Sequence, residues 1–339
     1  MNALLKSFLT VAVGAFIVGG CGSSNDDPSS SIEPKLYEGA VSAGDFVEAK
    51  FNPSNNQLDY TLSGSFADKY NIHSGSFKLV NMFGNFYKYG DDELIFFASN
   101  NLSVAHVELD GQGFNFATLS DIDTPTSEDL VDKTFNAGVF LNGENPDICK
   151  ISFAKNDVTF GPCIKNNYIE QFSWQIEDKK LVFKNETDIV AQGILKKGDR
   201  DSLIVDLINL SGYSGMAISL ENKPLTATDA DNVDVFKAMD ISPYDISFSE
   251  TEIVNKDGVV YANVNDLDSN GKIEYTYQVS LKLNPTINSE QWNGLAQVEG
   301  RDAQFALFSK EDGFYLSINV EPDYTNPYIL SFGSNIPLK

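Results

Sequence analysis

From about Tyr37 to the end of the chain, apolar residues recur in short alternating runs that Asn, Asp, Gly and Ser interrupt every few positions. Gln57-Leu58-Asp59-Tyr60-Thr61-Leu62, Lys272-Ile273-Glu274-Tyr275-Thr276-Tyr277-Gln278-Val279 and Gly313-Phe314-Tyr315-Leu316-Ser317-Ile318 show the pattern. A period of two places alternate side chains on opposite faces of an extended chain, so roughly twenty such runs predict strands joined by tight turns. Sustained helical periodicity is missing. Only Ser127 to Lys133 and Asp229 to Met239 read as short helices. The expected fold class is all-β, with tandem antiparallel β-sandwich or barrel-like domains.

Two polar stretches, each with one proline, break the rhythm: 120–127 around Pro125 and 221–229 around Pro224. Taken as joints, they predict β domains over 37–120, 134–221 and 237–339. Two larger β domains, with one joint acting as an internal crossover, are the rival arrangement. Gly39, Gly44 and Asp45 have an echo in Gly138, Gly143 and Glu144, which hints at a repeat.

Residues 1–20 have a different character. Lys6 is followed by an uncharged, largely apolar run through Gly20, too short to span a bilayer comfortably as a mature helix. It ends in Val18-Gly19-Gly20-Cys21, which resembles the bacterial lipobox: a branched aliphatic residue, two small residues and a cysteine. The resemblance implies a lipoprotein signal peptide over 1–20, removed after a diacylglyceryl group joins the Cys21 thiol. The new amino terminus would then be acylated as well. Each buried methylene contributes about 0.8 kcal/mol, so two or three acyl chains anchor firmly. Gly22 rather than Asp after the cysteine implies the outer membrane. Residues 21–36, with five serines, Pro28 and Pro34, read as the lipid anchor and a flexible tether.

Acidic residues number 48 against 24 basic ones, a formal charge of -24. Such a surface repels phosphate backbones and argues against a nucleic-acid partner. Two histidines, His73 and His106, and three cysteines leave most zinc, haem and triad chemistries short of parts. The expected role is therefore non-enzymatic. It is an outer-membrane lipoprotein displaying β domains to an envelope protein, a glycan or a host surface. A carboxylate-dependent polysaccharide hydrolase and a periplasm-facing carrier or assembly lipoprotein are the alternatives.

Cys149 and Cys163 flank a run with Lys155-Asn156-Asp157 at its centre. If those three residues form a hairpin loop, Ala154 faces Val158 and counting outward sets Cys149 against Cys163. With Cys21 consumed by lipid and the compartment oxidising, a structural disulfide is expected. Asp266-Leu267-Asp268-Ser269-Asn270-Gly271-Lys272-Ile273-Glu274 matches the first half of a D-x-D-x-N-G calcium loop. Its ligands would be Asp266, Asp268, Asn270, the Lys272 carbonyl and Glu274. Tyr277 stands where the helical loop needs a bidentate glutamate, and Asn270-Gly271 is equally a preferred hairpin turn. Calcium is the one cofactor that any motif suggests.

The anchor is directly testable. Replacing Cys21 with Ser should move the chain from the membrane pellet to the soluble fraction of lysed cells. A Cys21→Ser protein that still sediments with membranes would refute lipid anchoring.

Overall fold

The computed structural model describes residues 33–109, 111–165, 168–210, 212–231, 235–242, 245–322 and 330–338; Cys21 and the leader lie outside the described residues. The chain is all-β, and every strand pairing is antiparallel. No helix among the described residues is long and apolar enough to cross a membrane.

Three large sheets follow one another along the chain, and a two-stranded ribbon of Thr286–Ile287 and Glu290–Gln291 lies within the span of the third. The first, over 35–120, has nine strands in which Lys35–Val41 pairs with both Phe46–Asn52 and the last strand, Gln112–Ser120. It stays open between Ser74–Lys78 and Val80–Phe83. The second, over 134–221, is a closed eight-stranded barrel running from Thr134–Leu141 to Tyr213–Glu221. The third, over 236–334, is a closed eight-stranded barrel from Phe236–Ile241 to Leu330–Ser334.

The opening strands carry a true structural repeat. Tyr37, Gly39 and Val41 face inward in the first sheet; Phe135, Ala137 and Val139 do so in the second, and Phe236, Ala238 and Asp240 in the third. At the middle position Gly39 lies between Val47 and Thr118, Ala137 between Cys149 and Ser219, and Ala238 between Ser249 and Gly333. An aromatic ring, then a small residue between two ladders, recurs three times. The glycine echo is one residue out of step with this repeat. Gly39 corresponds to Ala137, whereas Gly138 points outward, where a β-carbon would come 3.1 Å from Leu316 and 3.2 Å from Ile318 of the third barrel.

The segment expected as a helix from Asp229 to Met239 is a single 3-10 turn, Ala227–Ala230, followed by the strand Phe236–Ile241. Phe236 and Ala238 pack inside the third barrel while Met239 and Ile241 pack outside it. A strand buried on both faces shows no alternation, which removes the signal that identifies strands. The other expected helix shrinks to Ser127–Leu130. Both turns share one device. Thr126 with Asp129 and Thr226 with Asp229 form capping boxes, satisfying orphan backbone donors at each start. Leu130 then packs into the interior of the second barrel, and Leu225 and Ala230 into that of the third.

Each sheet has its own interior core, and a fourth cluster lies among them. Ala40, Phe97 and Val104 from the first sheet meet Ile204, Met216 and Ile218 from the second and Met239, Leu316 and Phe332 from the third. Polar clasps close the seams around it. Arg200, 5% exposed, donates to the carbonyls of Glu221, Phe308 and Gly294, at 2.7 to 3.1 Å. Asp312 of the third barrel accepts the backbone N–H groups of Asp199 and Arg200. Asn101 of the first sheet donates to the carbonyls of Asp312 and Gly313, and Lys196 Nζ of the second barrel donates to the Ser120 carbonyl.

Arg200→Ala should lower the unfolding free energy by about 3 kcal/mol, since three buried carbonyls lose charge-assisted donors. Urea unfolding followed by circular dichroism and by tryptophan fluorescence should report one coincident transition in wild type. Separate transitions would mean that the shared core does not couple the barrels.

Candidate functional site

The ends of the two closed barrels differ in chemistry. At one end of the second barrel a cavity of ≈ 380 Å3 is walled by Val139, Leu141, Phe160, Leu210 and the cysteine pair, with Glu144 and Lys165 among its polar lining. Its size falls within the range of small-molecule clefts, and its lining has the expected mixture of apolar wall and a few polar groups. Lys165 Nζ donates to the Val320 carbonyl of the third barrel, which ties this corner to its neighbour.

Cys149 and Cys163 form a disulfide in this wall. The pairing is the one counted from the sequence, but the route to it differs. Phe153, not Ala154, closes the ladder opposite Val158, and Gly161 and Pro162 together oppose Lys150. The bulge restores the residue that the tighter hairpin removed. Closing a loop of this size constrains the unfolded chain by about 3 kcal/mol. Asp147 lies beside the pair, and the three form the only cluster of potential metal ligands among the described residues. Its two sulfurs are spent on each other, so it has no thiolates to offer a metal.

The third barrel is polar at one end of its lumen. Asp240 is buried, and its Oδ1 has no hydrogen-bond partner. Asp240 faces a space of ≈ 40 Å3 together with Ser249, Asp266, Tyr277, Tyr315 and Ser331. Such a volume admits a water or a small ion but not a sugar ring. Burial pushes the Asp240 carboxyl up to about 7, against hydrogen bonds from Ser331 and Ser249 and with help from Asp266. Asp266 is itself raised, by burial first and by Glu274 second. Burial also pushes the Tyr315 phenol up to about 12. Tyr315 stacks on Phe236 with ring centroids 5.3 Å apart, and Ile253, Val264, Leu281 and Val298 continue the wall of the same space on its apolar side.

The five residues of the calcium motif fall in two places. Asp266 belongs to the strand Val259–Leu267 and lines the lumen just described. Asp268 sits in the turn, where its Oδ1 accepts the N–H groups of Asn270 and Lys272 at 2.8 Å each. The Lys272 carbonyl accepts the Asp268 N–H, and Glu274 is exposed on the next strand. The Asp266, Asp268 and Glu274 carboxylates do not converge within 4.8 Å. Gly271, at φ 75°, lies against Phe83 of the first sheet, where a β-carbon would come within 2.6 Å of the ring. The turn thus helps seat the third barrel on the first sheet.

The remaining candidates have structural partners. His106 Nδ1 lies 2.7 Å from Asn115 Oδ1, and His73 lies 3.8 Å from Asp68. Ser214 donates its hydroxyl to the Ile208 carbonyl. Sequence reasoning missed Asp240 altogether, because a single acid in an apolar run has no spacing to announce it.

No family model and no curated protein matches the chain. Among solved structures it is similar to a protein of unknown function from the DUF3598 family of Nostoc punctiforme. That similarity has 10% identity and a TM-score of 0.20, covering 61% of this chain and 96% of the other.

A second buried acid sits at a seam. Asp206, on the outer face of the second barrel, has an unpartnered Oδ1. Burial, then Asp45 of the first sheet, pushes it up to about 8, with Lys180 opposing. Below about 4 an aspartate is protonated whether folded or not. As pH climbs from there to about 8 the unfolded chain ionises while folded Asp206 resists, so its contribution to stability is lost across that window. Asp206→Asn should therefore gain stability relative to wild type as pH rises from 5 to 8.5, read by urea unfolding. A difference that stays constant over that range would remove Asp206 from the account.

Proposed function

We propose that the chain is a lipid-anchored protein of the bacterial outer membrane that displays its β barrels for binding, and that the second barrel takes a small, largely apolar molecule. The observation that carries this reading is the ≈ 380 Å3 opening beside the disulfide. Barrels of eight strands have interiors that side chains can fill or that hold one small ligand. Here the interior is filled by Phe135, Phe153, Trp174 and Phe183, and the space is left at the end, against Val139, Leu141 and Leu210. Lys165 and Glu144 offer charges for a polar head group while the aliphatic side chains cover an acyl or aromatic body. The lipobox-like Val18-Gly19-Gly20-Cys21 and the polar leash after it support an anchored, outward-standing body.

A hydrophobic fluorescent probe, 1-anilinonaphthalene-8-sulfonate, tests the pocket on the mature, detergent-solubilised protein. Leu141→Trp, at the partly exposed rim, should weaken probe binding at least tenfold by filling the space, with the melting temperature preserved. Val80→Trp, on the exposed edge of the first sheet, should leave it unchanged. Equal binding by wild type and Leu141→Trp would overturn the reading.

A further inference from the structure

We infer that the polar end of the third barrel is a binding site for a compact monovalent cation, the ammonium head of a primary amine. Four observations converge on it. The first is the repeat: the inward position that Asp240 occupies is Val41 in the first sheet and Val139 in the second. The second barrel closes with valine there, so the carboxylate is not needed to build a barrel. The second is the orphaned oxygen. Asp240 is 2% exposed, lines the space, and presents an Oδ1 that no protein group satisfies. Leaving such an acceptor unpaired costs on the order of 1–3 kcal/mol, more when it is charged, and a bound donor removes that cost.

The third observation is charge balance. The charged residues lining the space are Asp240, Asp266 and Arg301. Arg301 is held at the rim, its guanidinium 5.9 Å from the Tyr277 ring and hydrogen-bonded to Gln304. Two carboxylates and one guanidinium leave a single negative charge, which one monocation neutralises. The fourth is size and donor pattern. A space of ≈ 40 Å3 takes an ammonium group but not a quaternary ammonium. The head of a primary amine has three N–H donors, and four groups that can accept them line the space: the Asp240 and Asp266 carboxylates and the Ser249 and Ser331 hydroxyls. Calcium suits the site poorly. It demands six to eight oxygens at 2.3–2.6 Å, and no three carboxylates here converge within 4.8 Å.

The site lies in a different barrel from the apolar cavity, so either proposal can fail alone. The experiment measures thermal unfolding of the mature protein at pH 7.5 in sodium phosphate at constant ionic strength, with methylammonium, tetramethylammonium or potassium chloride added. Methylammonium should raise the melting temperature by about 3 °C, the size expected when a ligand well above its Kd binds only the folded state. Tetramethylammonium and potassium should not. Asp240→Asn, which keeps the shape of the side chain, should abolish the methylammonium shift. Asp266→Asn, at a half-exposed position, should reduce it and serves as the second variant if Asp240→Asn does not fold. Isothermal titration of wild type with methylammonium should show one saturable site. No shift, an equal shift from tetramethylammonium or potassium, or a full shift persisting in either Asn variant would overturn the assignment.

Discussion

Everything in this fold depends on burying the outer faces of three β sheets against one another. A barrel that stands alone needs apolar side chains only inside. Here Ile204, Met216 and Ile218 of the second barrel point away from its interior and are still 1% exposed or less, because strands of the first sheet and third barrel cover them. On the strand Ser202–Leu210, which carries Ile204, Leu203, Val205 and Leu207 fill the inside. At about 25 cal/mol per Å2 of apolar area removed from water, this second set of buried faces is a large stabilising term in its own right. It makes one body of what the hydrogen-bonded ladders would leave as three.

That packing explains where polar groups are placed. Long side chains reach across the seams to backbone carbonyls: Arg200 from the second barrel to Phe308 and Gly294, and Asn101 from the first sheet to Asp312 and Gly313. Lys150 reaches from the second barrel to the Gln291 carbonyl and stands 4.8 Å over the Trp292 ring. The two proposed sites lie in the closed barrels, away from the shared core. One end is lined by Leu141 and Leu210 and suits an apolar ligand. The other is lined by Asp240 and Asp266 and suits a cation. The two linings differ at the end of the first strand, Val139 in one barrel and Asp240 in the other.

The site residues divide by how local their signal is. The cysteine bridge was legible because hairpin counting is a short-range calculation, although a tighter turn and the Gly161-Pro162 bulge had to offset each other for the count to hold. The turn at Asn270-Gly271 was legible for the same reason. What the loop does was not: Asp268 serves its own backbone, while Asp266 faces a lumen formed with residues as distant as Ser331. Asp240 carried no local signal: it lies between the apolar Met239, where the expected helix from Asp229 ended, and the apolar Ile241.

By itself the sequence determined the extended, antiparallel character of the chain, the three-part rhythm, the acidic surface and the lipobox-like cysteine. These follow from nearest-neighbour chemistry: side-chain alternation, turn residues, net charge and a four-residue motif. Only the tertiary structure decided that two of the sheets close, that Leu130 and Ala230 enter barrel interiors, and that a carboxylate with one unpartnered oxygen lines a lumen. Those facts depend on which strands meet after a hundred residues of chain have turned back. A pattern with a period of two states which side of a strand is buried, and not what it is buried against.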